Sequence, residues 1–141
     1  MNSLLSYNGG MKILVIDGQG GNIGKSIVEQ IRQSMPDQTV IAIGTNSAAT
    51  SAMVKAGASA GATGENPVIV NSRDADYIIG PIGIILADSM LGEITPAMAR
   101  AIGESKAHKI LIPVNKCITV AGVESLSLGQ YIQKAVALIG C

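Results

Sequence analysis

Aromatic residues are almost missing from this chain: it has no Phe, no Trp and three Tyr in 141 residues. Without stacking platforms the sequence lacks the means by which single-strand binders hold bases. Charge is scarce as well, at 14% of residues, and ten Lys and Arg offset ten Asp and Glu. A balanced chain has no long-range field to draw in nucleic acid or an anionic membrane surface, so neither is an expected partner. Two cysteines, Cys117 and Cys141, fall short of a disulfide scaffold, and with the single histidine, His108, they compose no metal cluster. Apolar runs are broken by Gly, Pro or charge well short of the roughly 20 residues of a membrane helix. The opening residues lack the basic start and apolar run of a secretory signal, and the expected location is cytoplasmic.

What the chain does have is aliphatic residues and glycine. Hydrophobic residues make up 48% of the sequence, enough for one sizeable core and too short a chain for two. Residues 1–10 read as a disordered N-terminal extension, and Met11, directly before the first strand, is a candidate translation start. Residues 11–141 form the single expected domain. Ile13-Leu14-Val15-Ile16 is an unbroken apolar run, which suits a parallel strand covered on both faces. After a glycine-rich turn, Ile23, Ile27, Ile31 and Met35 recur at helical spacing until Pro36 stops the helix.

The turn between them, Gly18-Gln19-Gly20-Gly21-Asn22-Ile23-Gly24-Lys25-Ser26, carries glycines at G-x-x-G-x-x-G spacing. Glycines there permit a sharp bend, close approach of a phosphate to the amides, and tight packing of helix on strand. The first helical amides then face an anion with the helix dipole behind them. The turn resembles the phosphate-binding turn of Rossmann dinucleotide-binding proteins, in the form found in extended short-chain dehydrogenases. The same residues also read as a tight turn that binds nothing. A P-loop is disfavoured, because its first glycine would have to stand at position 19, which is Gln19.

Further along, Thr39 to Ile43 reads as a second strand ending at Gly44-Thr45-Asn46-Ser47. A dinucleotide fold keeps an acid at this point for the adenosine ribose, and none is present here. Thr45, Asn46, Ser47, Thr50 and Ser51 either cap the helix expected over 48–56 or hold a ribose or second phosphate. Residues 57–64 read as a mobile or ligand-contacting loop, 67–70 as a short strand and 77–79 as a buried strand. Gly80-Pro81-Ile82-Gly83 then makes a turn with a candidate cis proline. An apolar helix is expected over 84–91, with Asp88 facing either the crevice or solvent. Thr95-Pro96 starts another helix, 110–112 is the last buried strand, 118–120 a candidate edge strand, and 126–139 the final helix.

Alternating strands and helices predict an α/β fold: a three-layer, open, mostly parallel, Rossmann-like sheet with helices on both faces. Ligands collect at the carboxyl ends of such strands, which is where Asp17, Thr45, Asn46, Pro81, Asn115, Lys116 and Cys117 fall. His108 precedes its strand and lies at the opposite end. The strings Asp17-Gly18-Gln19-Gly20-Gly21, Gly44-Thr45-Asn46, Gly61-Ala62-Thr63-Gly64-Glu65-Asn66, Gly80-Pro81-Ile82-Gly83 and Ser89-Met90-Leu91-Gly92-Glu93-Ile94-Thr95-Pro96 together resemble a family of small bacterial proteins of unknown function, found mostly in anaerobic spore-formers. That resemblance runs over residues 11–139 and implies a small Rossmann-like domain without an established activity.

The candidate ligand-binding residues are therefore Gly18, Gln19, Gly20, Gly21, Asn22, Ile23, Gly24, Thr45, Asn46, Pro81 and Asn115. The suspected cofactor is NAD(P) or another nucleotide. Asp17 is the best-placed acid or base, although an aspartate at this point also braces the loop. Cys117 lacks a histidine on its side of the sheet. Tyr131 and Lys134 are three apart, one short of the short-chain dehydrogenase pair. Three readings stay open: a non-catalytic or regulatory binder of a nucleotide or other phosphorylated metabolite, a small NAD(P)-dependent oxidoreductase completed by a dimer partner, and an interaction module whose glycines are structural. The chain's low charge and abundant Ala, Met and Ile fit self-association as a homodimer, with residues 90–98 a candidate contact.

Overall fold

The computed structural model describes residues 10–140. The expected extension is outside the described residues up to position 9, as is Cys141. In chain order the elements are β1 (Lys12–Asp17), α1 (Asn22–Ser34), β2 (Thr39–Gly44), α2 (Ser47–Lys55), β3 (Ala60–Thr63), α3 (Glu65–Ser72), β4 (Tyr77–Pro81), α4 (Pro96–Glu104), β5 (His108–Ile112) and α5 (Leu128–Ala137). The strands form one sheet in the order β3-β2-β1-β4-β5, and every pairing is parallel. Strand order reverses between β1 and β4, which opens a crevice at their carboxyl ends.

Two apolar cores explain why the strands hold this order. Alternate residues of β1 point to opposite faces: Ile13 and Val15 pack with Ile27, Ile31, Met53 and Val136 beneath α1, α2 and α5. Leu14 and Ile16 pack with Val68, Ile84, Ile94, Met98 and Ile102 on the face covered by α3 and α4. Every residue of β1 is buried, as its unbroken aliphatic run predicts. Helix starts are fixed by side chains. Asn46 Oδ1 accepts from Ala49 N at 2.9 Å, Thr95 Oγ1 from Met98 N at 3.1 Å, and Ser127 forms a capping box with Gln130.

Four expected elements differ. Residues 57–64 are not simply a loop, because Ala60–Thr63 is the edge strand β3. A Cβ at Gly61 would stand 2.5 Å from Val54 Cγ2, so α2 lies too close to this strand for the branched residues that ordinarily signal one. Conversely, 67–70 is not a strand but part of α3. Its β-branched residues mislead locally, whereas Pro67 sits in the first turn, where a missing N–H is harmless, and Val68 packs into the second core. Residues 84–91 are not a helix: after a 3₁₀ turn at Ile82–Ile85, Asp88, Met90 and Leu91 all take left-handed φ. Residues 118–120 form no strand. The candidate cis proline is trans, for no cis peptide occurs among the described residues.

Candidate functional site

Asp17 ends β1 and is only 4% exposed. Its Oδ1 accepts from Gly18 N at 2.8 Å and its Oδ2 from Gly24 N at 2.7 Å. Gly21, the N-cap of α1, has no side chain to offer, so the carboxylate performs the capping from the strand before it. Burial pushes the Asp17 carboxyl above its ordinary range, against the lowering pull of the Gly24, Gly18 and Ile23 amides, and the nearby Glu93 charge adds to the rise. With both oxygens engaged and almost no surface, Asp17 braces the turn.

Three of the turn's glycines leave no free space for a Cβ. A Cβ at Gly18 would meet Thr45 Oγ1 at 2.6 Å and Met90 Sδ at 2.7 Å. At Gly21, where φ is +75°, it would stand 2.8 Å from the Cα of Ala49. At Gly24 it would meet Met53 Sδ at 2.5 Å. Gly20 differs: its nearest neighbour would be Asn22 Nδ2 at 3.8 Å, so the space above it is open.

The amides divide in the same way. Gly18 and Gly24 donate to Asp17, Gln19 donates to Glu93 Oε1 at 2.8 Å, and Gly21 donates to Gly18 O at 2.9 Å. The exposed amides of Gly20 and Asn22 have no protein acceptor among the described residues. They lie at the outer rim of the turn, at the positive end of the α1 dipole.

Glu93 was absent from the site read in the sequence. The segment after β4 folds back over the glycine turn and brings this carboxylate to the ends of β1 and β2. There Oε1 accepts from Gln19 N, from the Thr45 hydroxyl, and from Asn46 Nδ2 at 2.9 Å. Those donors, the Thr45 hydroxyl foremost, hold the Glu93 carboxyl below its ordinary range. Asn46 also donates to Gln19 O at 2.9 Å, joining the two strand ends directly. The available signal was positional: an acid in the loop after the strand at the switch point, which topology places against the β1 turn.

The structure thus brings Gly18, Gln19, Gly20, Gly21, Asn22, Thr45, Asn46 and Glu93 together. Gly24 and Ile23 lie at the start of α1, with Gly24 buried. Pro81 closes β4 and is buried. Asn115 and Cys117 follow β5, at the edge of the sheet, where Asn115 Oδ1 accepts from Cys117 N at 2.8 Å in a local turn. Cys117 is an exposed free thiol. The Tyr131 hydroxyl donates to Glu124 O at 2.8 Å and accepts from Leu126 N at 3.1 Å, which ties down the loop before α5. Asp88 is exposed, and its backbone amide bonds to Ile94 O. His108 packs edge-on against Tyr77 at the amino end of the sheet.

No helix among the described residues is long and apolar enough to cross a membrane, and no group of three or more His, Cys, Asp or Glu there is arranged to hold a metal ion. Among curated proteins none matches this chain. A solved dodecameric FMN-dependent Ubix-like decarboxylase from Escherichia coli O157:H7 is similar over 90% of this chain and 75% of its own, with 16% identity and a TM-score of 0.49. The fold assignment rests on the strand pairing itself. The family model described as a domain of unknown function, DUF3842, matches residues 12–140, and the chain belongs to that family.

Proposed function

We propose that this protein binds a phosphorylated small ligand, a nucleotide or related metabolite, at the outer rim of the glycine turn, in a non-catalytic or regulatory role. The observation that carries the reading is the pair of amides at the exposed residues Gly20 and Asn22, which lack protein acceptors among the described residues, with room for an added side chain at Gly20. A phosphate seated there accepts from both and gains from the α1 dipole. Lys25, exposed in the first turn of α1, adds a positive charge on the same side. The inner part of the turn does not take part, since Asp17 holds its amides and a phosphate placed deeper would meet that carboxylate.

An oxidoreductase role is less well supported. The Tyr131 hydroxyl is engaged at both its donor and acceptor positions, and Asp17 is enclosed. The test is a thermal-shift panel of NAD, NADP, FMN, FAD, ATP, GTP and coenzyme A, run on the wild type and on Gly20→Val. Stabilisation grows with ligand excess, to about 2.7 kcal/mol at a hundredfold excess over Kd. At least one phosphorylated compound should raise the melting temperature of the wild type, and the added side chain over Gly20 should abolish that rise in a folded variant. A panel without any response overturns the reading in favour of the interaction module.

A further inference from the structure

We propose that Glu93 is a specificity-determining residue of this site: its second carboxylate oxygen receives the vicinal hydroxyls of a ribose, so the ligand is a ribonucleotide bearing no phosphate at the 2′ position. The inference rests on the phosphate reading above and adds what lies beside the phosphate.

The two oxygens of Glu93 differ in their surroundings. Oε1 accepts from a backbone amide, a hydroxyl and a side-chain amide at once, one more donor than the two lone-pair sites of a single carboxylate oxygen. Those bonds fix the plane of the carboxylate. Oε2 has no protein donor among the described residues, and the residue is half-exposed. An anchored acceptor open on one side suits an uncharged group with donors to give, and it repels a second phosphate.

Its place completes the argument. Glu93 is tied to the amide of Gln19, the residue directly before Gly20, and to Thr45 and Asn46 directly after β2. The sugar of a nucleotide whose phosphate lies on Gly20 and Asn22 is within reach of this carboxylate, which is anchored one residue from Gly20. Dinucleotide folds supply a ribose-binding acid from the end of β2 itself. Here β2 ends in Gly44, Thr45 and Asn46, and the segment between β4 and α4 brings an acid to the same point from nearly fifty positions further along the chain.

The backbone of that segment supports a positioning role. Asp88, Met90 and Leu91 all hold left-handed φ without being glycine, a conformation that persists where surrounding contacts impose it. The contacts are visible: Ile94 N donates to Ser89 O, Glu93 N to Met90 O, and the Ser89 hydroxyl to Gly83 O.

Amide chemical-shift titrations with inorganic phosphate, AMP, 2′-deoxy-AMP and adenosine 2′,5′-bisphosphate test this on the wild type, Glu93→Gln and Glu93→Ala. In the wild type, AMP should bind roughly tenfold more tightly than 2′-deoxy-AMP, the loss expected for a hydrogen bond to a charged acceptor. The 2′-phosphorylated compound should bind more weakly still. Glu93→Gln should narrow both differences, and should bind inorganic phosphate no more weakly than the wild type, since a negative charge beside the site is removed. Equal binding of AMP and its 2′-deoxy form, or tighter binding of AMP by Glu93→Ala, would overturn the proposal while leaving the phosphate site standing. No response at Gly20 and Asn22 to any of these compounds would overturn both.

Discussion

Asp17 and Gly24 are joined across the whole glycine turn, with the carboxylate Oδ2 2.7 Å from the Gly24 amide. A residue at the end of a strand thereby caps the helix that follows it. Replacing Asp17 by Ala should lower unfolding free energy by about 1–3 kcal/mol, the usual loss for bonds to a charged acceptor. Asp17→Asn should fare no better, because its side-chain NH₂ would face an amide donor. Urea denaturation reads both variants, and an Asn variant as stable as the wild type would remove the capping role.

Acid should act on the two carboxylates in opposite directions. Glu93 is depressed by its donors, so its contribution to stability is present above its ordinary value and is lost as pH falls through its lowered one. Asp17 is raised by burial. Its ionised form is the disfavoured one, and the fold gains from protonation as pH falls through the raised value toward the ordinary one. A carbon-detected titration should find Asp17 titrating above 3.8 and Glu93 below 4.5. The stability difference between wild type and Glu93→Ala should shrink as pH falls below 4.5. An Asp17 midpoint at or below 3.8, or a Glu93 midpoint at or above 4.5, would refute the assigned environments.

Neighbouring glycines should answer differently to the same methyl group. At Gly21, alanine must adopt φ +75° and press within 2.8 Å of the Ala49 backbone. The first effect costs about 1–2 kcal/mol and the overlap about 1–3 kcal/mol. At Gly20 the nearest atom is 3.8 Å away, so alanine should change stability by less than about 0.5 kcal/mol. Thermal melts of the two variants provide the comparison, and similar losses at both positions would mean the turn is not packed as described.

Arg32 should stabilise the fold although no acid among the described residues pairs with it. Its Nε donates to Gly57 O at 2.6 Å, its Nη1 to Gln38 O and its Nη2 to Ser59 Oγ at 2.9 Å. One planar guanidinium thus ties the end of α1 to the entry of β2 and the approach to β3. A lysine cannot span these acceptors, so Arg32→Lys should lose about 1–3 kcal/mol by denaturant unfolding. A neutral result would show that the carbonyls are served equally well by water.

The parts legible in the sequence were those governed by local pattern. Ile13 to Ile16 announced a doubly covered strand, Thr95 and Pro96 a helix start, and the periodic isoleucines the buried face of α1. β3 escaped because Gly61 has no side chain where Val54 of α2 closes on the strand, a tertiary demand that local propensity contradicts. The glycine turn was recognisable, but which glycines serve packing depended on Ala49, Met53 and Met90, residues distant in sequence. Glu93 shows in the sequence only as an acid in the loop after a strand, since the donors that make it a site residue come from two strand ends far upstream.

Reversing one surface charge separates the fold from the ligand site. Lys25 lies in the first turn of α1, exposed, close to the amides assigned to phosphate. Glutamate near a helix N-terminus is favourable by about 0.3–1 kcal/mol, so Lys25→Glu should melt no lower than the wild type without ligand. A phosphate on Gly20 and Asn22 would then meet a negative charge in place of a positive one. Affinity for AMP should fall roughly tenfold at low ionic strength, and the gap between wild type and variant should narrow as salt screens it. Stability and binding move in opposite directions only if the anion sits at this helix end; a variant that keeps wild-type affinity would move the ligand elsewhere on the molecule.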